Sequence, residues 1–245
     1  MATHVVIGAT GGIGSSLTRR LAATGHRVVA GARDERRLAA LTEEVPTAIP
    51  YRLDAASFDE VADCLAAARE LGGEDLEGVA LCVGSILLRP AHATTFADWQ
   101  DTITRNLTTA FAVVRAAGKT MRSGGSVVLC SSTAAAVGLV NHEAIAAAKA
   151  GVEGLVRAAA ASHARFGLRF NAVAPGLVRT PLAAAIVDNP AALQASEQMH
   201  PLGRIGEPGE VADAIAWLLG RESAWMTGEV LRLDGGMAHV WPPPR

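Results

Sequence analysis

The stretch His4-Val-Val-Ile-Gly8-Ala-Thr10-Gly-Gly12-Ile13-Gly14 sets the frame for the rest of the chain. A short apolar run stops at a glycine cluster, as a buried parallel strand does. Residues 13 to 24 then show helical apolar spacing, with Gly25 placed as a stop. Glycines between a strand and a helix let a backbone approach a pyrophosphate, and the helix N-terminus adds N–H donors and partial positive charge. A plain tight turn uses the same residues. The strand before and the helix after are what point to a dinucleotide.

Outward from that turn, a second β-branched run at 27–30 is followed by Ala32-Arg33-Asp34 and a helix through Glu44. Further short apolar runs lie at 49–53, 79–83, 126–130, 169–173 and 229–233. Helical stretches separate them at 58–71, 96–121, 143–166 and 208–220. This alternation implies parallel βαβ units with right-handed crossovers. It predicts an α/β, single-domain Rossmann fold over 1–245, a doubly wound parallel sheet of about seven strands with helices on both faces. No repeat and no Pro/Gly/Ser-rich linker interrupts it, and Trp241-Pro-Pro-Pro-Arg245 cannot extend a strand, so 239–245 reads as a tail.

Composition narrows the function classes. Half of the 245 residues are hydrophobic and 19% are charged, which excludes disorder. A net charge of -2 argues against nucleic acid or an anionic membrane as partner. No apolar run approaches the ~18 residues of a membrane span, and the N-terminus lacks a signal pattern, so a cytoplasmic protein is expected. Cys64, Cys82 and Cys130 sit in apolar segments without metal-ligand spacing and read as buried free thiols. His4, His26, His92, His163, His200 and His239 form no ligand constellation, so no metal site is expected.

The end of the second strand discriminates between nicotinamide cofactors. An acidic residue there binds a free ribose 2′-hydroxyl, whereas an arginine accepts a 2′-phosphate. Ala32 takes the acid's place and Arg33 follows, with Arg36 and Arg37 nearby. NADP(H) is therefore expected ahead of NAD(H).

With these residues in hand, the chain resembles the short-chain dehydrogenase/reductase family, of the type that includes ketoacyl-carrier-protein reductases and sugar dehydrogenases. The glycine turn is similar to the family's TGxxxGIG, with Ile7 where the leading Thr stands. The resemblance implies cofactor contacts from Gly8, Thr10, Gly12, Ile13, Gly14 and Arg33, and an adenine contact at Asp54. Cys82-Val83-Gly84 stands where the family has Asn-Ala-Gly, and Asn106 resembles the helix asparagine that shapes the active-site water path. Cys130-Ser-Ser132 resembles the strand-end motif with Ser132 at the catalytic position. The segment Pro175-Gly176-Leu-Val178-Arg-Thr180-Pro181 looks like the one that covers the nicotinamide, and Leu233-Asp-Gly-Gly236 like the closing motif.

One departure is central. Where the family has Tyr-x-x-x-Lys, this chain has Ile145-Ala-Ala-Ala-Lys149, in the usual register from Ser132. The single tyrosine, Tyr51, precedes Asp54 and is expected far from the nicotinamide. Losing a general acid typically costs about 10²–10⁴ in rate. Positions 142, 145 and 149 share one helix face, so His142 is the candidate substitute, with a helix-cap or pocket-wall histidine as the alternative. The interval from His142 to Lys149 equals the Tyr-to-Lys interval of the superfamily's enoyl reductases. Lys149 is one of two lysines, and its alanine-rich helix face points to a buried partner such as ribose hydroxyls.

The resemblance places the substrate loop at 182–206, where apolar residues and Met199 suggest an uncharged or partly apolar small molecule. It also implies a homo-oligomer, dimer or tetramer, built on helices 96–121 and 143–166. The expected activity is carbonyl reduction or alcohol oxidation with a non-standard proton donor. Reduction of C=C or C=N and a non-catalytic NADP-binding role are the alternatives.

Overall fold

The computed structural model describes residues 2–72 and 76–241. Seven strands form one parallel sheet: β1 (Thr3–Ile7), β2 (Arg27–Ala32), β3 (Ala48–Arg52), β4 (Leu76–Leu81), β5 (Gly125–Cys130), β6 (Leu168–Pro175) and β7 (Val230–Leu233). Their order is β3-β2-β1-β4-β5-β6-β7. The order reverses between β1 and β4, which opens a crevice at the carboxyl ends of those strands. The helices are α1 (Gly12–Ala23), α2 (Glu35–Glu44), α3 (Phe58–Leu71), α4 (Phe96–Ile103), α5 (Thr109–Thr120), α6 (Glu143–His163), α7 (Ala184–Val187), α8 (Pro190–Met199) and α9 (Pro208–Leu219).

Alternation along the strands builds two cores. Val5 and Ile7 of β1 pack with Val61 and Leu65 of α3, Val113 of α5 and Val152 of α6. Val6, between them, faces Leu17 of α1, Leu38 of α2 and Ile215 of α9 on the other side. The inner strands β1, β2, β4, β5 and β6 are apolar on both faces because both faces are covered, so they read as short continuous hydrophobic runs, whereas the edge strands β3 and β7 are only partly buried. Side-chain caps fix the helix starts that follow β2 and β3: Asp34 accepts from Arg37 N at 3.1 Å and Ser57 from Glu60 N at 3.3 Å.

One helix differs from its sequence reading. The expected helix over 96–121 is interrupted by a π-helical turn at Thr104–Thr108. Thr102 Oγ1 donates to the Asp98 carbonyl at 2.8 Å, Asn106 Nδ2 to the Thr102 carbonyl at 2.9 Å, and Thr109 Oγ1 to the Arg105 carbonyl at 3.0 Å. Such back-bonding competes with the regular ladder, and a widened turn is the result. Of the C-terminal tail, 242–245 lies outside the described residues, and Trp241 before it is exposed.

Candidate active site

The glycine turn is built as a close-packed cradle. Gly8 takes φ +87°, a conformation that favours glycine, and a Cβ there would stand 2.8 Å from the Cys82 carbonyl carbon. A Cβ on Gly12 would stand 2.7 Å from Thr180 Cγ2, and one on Gly14 would fall on the Gly8 carbonyl oxygen. Gly14 therefore seats α1 against the turn, Gly8 lets the Cys82 backbone come close, and Gly12 makes room for the Thr180 and Pro181 side chains. The N-cap of α1, Gly11, provides no side-chain cap, and no acidic residue stands in the first turn. Its N–H groups and dipole are thus left for an anion.

A groove of about 520 Å³ runs over this cradle. Gly8, Thr10, Gly12, Ile13, Arg33, Asp54, Val83, Gly84 and Thr180 all line it. Arg37 lines it as well, and its Nη2 donates to the Thr10 carbonyl at 2.6 Å. Two guanidinium groups therefore stand at the β2 end of the groove, where the sequence singles out Arg33 first. The cradle and the uncapped helix end fit the pyrophosphate of a dinucleotide, and the two arginines give the β2 end of the groove positive charge.

The groove continues into a second cleft of about 150 Å³, sharing Ile13, Cys82, Val83, Gly84, Thr180 and Leu182 with it. Ser132, Lys149, Asn106, Pro175, Gly176 and Val178 line this cleft, and so does Ile145. Lys149 is buried and donates from Nζ to the Cys130 carbonyl at 2.7 Å. Burial pushes its pKa down, partly offset by the neighbouring Cys130 and Cys82. Ser132 Oγ accepts from Ala134 N at 3.2 Å, which leaves its O–H free to donate into the cleft. Ser131 behaves differently: it is buried, and its hydroxyl donates to Glu153 Oε1 at 2.9 Å. Asn106 is fully engaged, donating to Ser85 Oγ at 2.9 Å and accepting from Ser85 N at 3.2 Å. Through the π turn it pins the loop after β4 against the cleft.

Other expected residues stand apart. His142 is the N-cap of α6, with Nδ1 2.7 Å from the Val140 carbonyl oxygen. It is not part of the wall of either cleft, although Ile145, one turn on, is. Tyr51 lies on the edge strand β3, with β2, β1 and β4 between it and the serine strand. Met199 is exposed and outside the cleft wall, so the apolar lining comes from Ile86, Ile145, Leu177 and Leu182 instead.

Two features escape a reading by composition. Of the three thiols, only Cys64 is buried; Cys82 and Cys130 are half-buried and form part of the cleft wall. Both follow directly on β-strand interiors, and that apolar context masks their position at the strand ends. His200 is buried, with Nδ1 2.7 Å from the Ser196 carbonyl, and its Nε2 accepts from Leu177 N at 3.2 Å. It ties α8 to the segment 175–181, a long-range contact that spacing alone does not reveal.

Comparison with known proteins agrees with this geometry. A family model described as enoyl-(acyl carrier protein) reductase matches residues 8–238. The cis-4-hydroxycyclohexanecarboxylate dehydrogenase of Sinomonas cyclohexanicum is 38% identical over 96% of both chains. The 3beta-hydroxysteroid dehydrogenase 1 of Eggerthella lenta is 34% identical, over 96% of this chain and 93% of its own. Among solved structures, a variant of the actinorhodin polyketide ketoreductase with NADPH superposes with a TM-score of 0.90 at 30% identity, covering 98% of both chains. With the sheet order, the glycine cradle and the serine–lysine cleft, these matches show that the chain belongs to the short-chain dehydrogenase/reductase family of oxidoreductases.

Proposed function

We propose that the protein is an NADP(H)-dependent oxidoreductase that reduces a ketone or aldehyde, or oxidises the corresponding alcohol, with a proton donor other than tyrosine. The observation that carries the proposal is the grouping of Ser132, Asn106, Lys149 and Ile145 around an apolar cleft that opens into the glycine-lined groove, Ile145 being the residue that the resemblance aligns with the family's acid. Arg33 and Arg37 hold the 2′-phosphate of the cofactor, the two guanidinium groups matching its charge. Lys149 has three N–H donors and gives one to the Cys130 carbonyl, so the others serve the ribose hydroxyls. When bound, the dinucleotide supplies or accepts the hydride. Ser132 donates its O–H to the substrate oxygen, and the wall of Ile86, Ile145, Leu177 and Leu182 selects an uncharged, partly apolar molecule.

The proton comes from His142. With Nδ1 donating to the Val140 carbonyl, Nε2 is the ring nitrogen left to hand over a proton. Because the imidazole stands outside the cleft wall, water carries the proton to the substrate oxygen. Exposed Phe96 and Trp99 on α4 and Phe111 on α5 support a dimer or tetramer built on these helices.

The test follows NADPH consumption with a panel of ketones, aldehydes, imines and enones, for the wild type and His142→Ala in parallel. Turnover of ketones, with a loss of at least about tenfold in the variant at unchanged NADPH affinity, supports the proposal. Equal rates refute the role of His142. A second reading, reduction of C=C or C=N, draws support from Ile145 itself, because those reactions do not need a phenol at the carbonyl oxygen. Turnover confined to enones or imines would establish it. Tight NADPH binding without turnover of any of them would favour a non-catalytic role.

A further inference from the structure

We infer that Cys82 and Cys130 form an oxidant-reactive dithiol in the wall of the substrate cleft, a modification site whose co-reactant is a hydroperoxide. The register of β4 and β5 ends with Leu81 opposite Leu129, so the next residues, Cys82 and Cys130, stand opposite each other. Both pack against the same core, which puts them on one face of the sheet. Neighbouring strands lie about 4.8 Å apart, within the Cα separation that a disulfide spans. Both residues line the cleft together with Lys149. Cys64, in contrast, is buried inside α3, and burial pushes its thiol up to about 12.

The surroundings divide the labour within the pair. The contact with Cys82, aided by the Lys149 ammonium, holds the Cys130 thiol below its ordinary range against the effect of burial. Its contact with Cys130, and burial, push the Cys82 thiol well up. Cys130 is thus the nucleophile and Cys82 the resolving thiol. The Cys130 thiolate attacks one peroxide oxygen; the S–O bond forms, the O–O bond breaks, and the departing oxyanion takes up a proton as water or an alcohol. Cys82 sulfur then attacks the sulfenic sulfur. The S–S bond forms, the S–O bond breaks, and hydroxide leaves with the Cys82 proton as water. Two electrons pass from the two sulfurs to the peroxide.

The experiment treats the full-length protein with hydrogen peroxide under native conditions, without cofactor, and reads intact mass and titratable thiols after unfolding. The expected wild-type product has lost two hydrogens and two of three thiols, both restored by dithiothreitol, with Cys64→Ser still forming the bond. Cys82→Ser is expected to stop at a sulfenic acid on Cys130 that dimedone traps. Cys130→Ser is expected to leave Cys82 unmodified over the same time. Three free thiols in peroxide-treated wild type would overturn the inference, as would equal peroxide reactivity of Cys82 in the Cys130→Ser variant. Because no cofactor or substrate is present, the outcome is independent of the proposed reaction.

Discussion

Replacing Ile145 by tyrosine puts a phenol back beside Ser132 and Lys149. Ile145 is 5% exposed, so a larger side chain risks overpacking, which typically costs about 1–3 kcal/mol in a closed core. Its outer face, however, lines the 150 Å³ cleft, and the added ring atoms extend into that space. The stability loss should therefore fall at the low end, about 1 kcal/mol. The gain is set by general acid catalysis, about 10²–10⁴ in rate, equivalent to roughly 3–5 kcal/mol of barrier. An unperturbed phenol titrates near 10. The Lys149 ammonium four residues on lowers that value and brings it toward working pH. Ile145→Phe is the control, because it adds the ring without the hydroxyl. The assay is kcat/KM for NADPH-dependent reduction of cyclic ketones from pH 6 to 9, with thermal unfolding and NADPH affinity measured for each variant. A tyrosine variant that exceeds the phenylalanine variant by at least about 100-fold supports the placement of residue 145 at the proton-transfer position. A folded, NADPH-binding tyrosine variant no faster than the phenylalanine variant refutes it.

Other outcomes follow from the same geometry. Removing Arg33 or Arg37 takes away a charge-assisted contact worth about 1.5–3 kcal/mol, so NADPH affinity should fall roughly 10–100-fold in fluorescence titration while NADH affinity changes little. Lys149→Met should abolish turnover yet leave the melting temperature unchanged or higher, because burial already disfavours the ammonium. Gly14→Ala should lower stability by at least about 1–3 kcal/mol in urea unfolding, since its methyl group would meet the Gly8 carbonyl. His4 is buried, its Nδ1 has no hydrogen-bond partner among the described residues, and burial, then His26, lowers its pKa to about 4. The unfolded chain takes up that proton near 6.5, so stability is intact above that pH and drains by about 3 kcal/mol as pH falls to 4, a loss that His4→Val should reduce in denaturation curves at pH 7.5 and 5.

The fold is legible because its inner strands are buried on both faces and read as short apolar runs bounded by turns, while its longer helices carry one apolar face each over ten or more residues. The glycine turn is legible for a different reason: only glycine fits at Gly8 and Gly14, where a Cβ would meet backbone, and the sequence displays that constraint directly. What it hid was tertiary. The break at Thr104–Thr108 comes from Thr102, Asn106 and Thr109 bonding back onto carbonyls, residues that a helical pattern tolerates without signal. His200 looked scattered because its partner, Leu177 N, is 23 residues away. Helical spacing put His142 on the face of Ile145, but His142 is the cap residue with φ −105° and ψ 11°, so its side chain leaves the helix before the periodic rule applies.

The groups retained around Ile145 bear on whether the site is in use. A buried ammonium is among the more expensive features a fold can keep, and one hydrogen bond to a carbonyl compensates only part of its lost hydration. Asn106 spends its whole amide on holding Ser85 and the π turn, a local arrangement that a regular helix would replace at lower cost. Neither feature contributes to the two hydrophobic cores. For an idle cleft, methionine at 149 and leucine at 106 would be the stabler solution, because apolar groups of similar size often improve on buried charge. The balance changes once a polar ligand fills the cleft, since ribose hydroxyls can take the remaining donors of Lys149. Binding alone would account for Lys149. It does not account for Ser132, whose free O–H faces the cleft and has a use only when an oxygen acceptor occupies the space in front of it. Measuring whether Ser132→Ala lowers kcat for ketone reduction while leaving NADPH affinity intact separates a working site from a binding one: a fall of at least about tenfold marks catalysis, and unchanged turnover would mean the hydroxyl serves only the turn at Ala134.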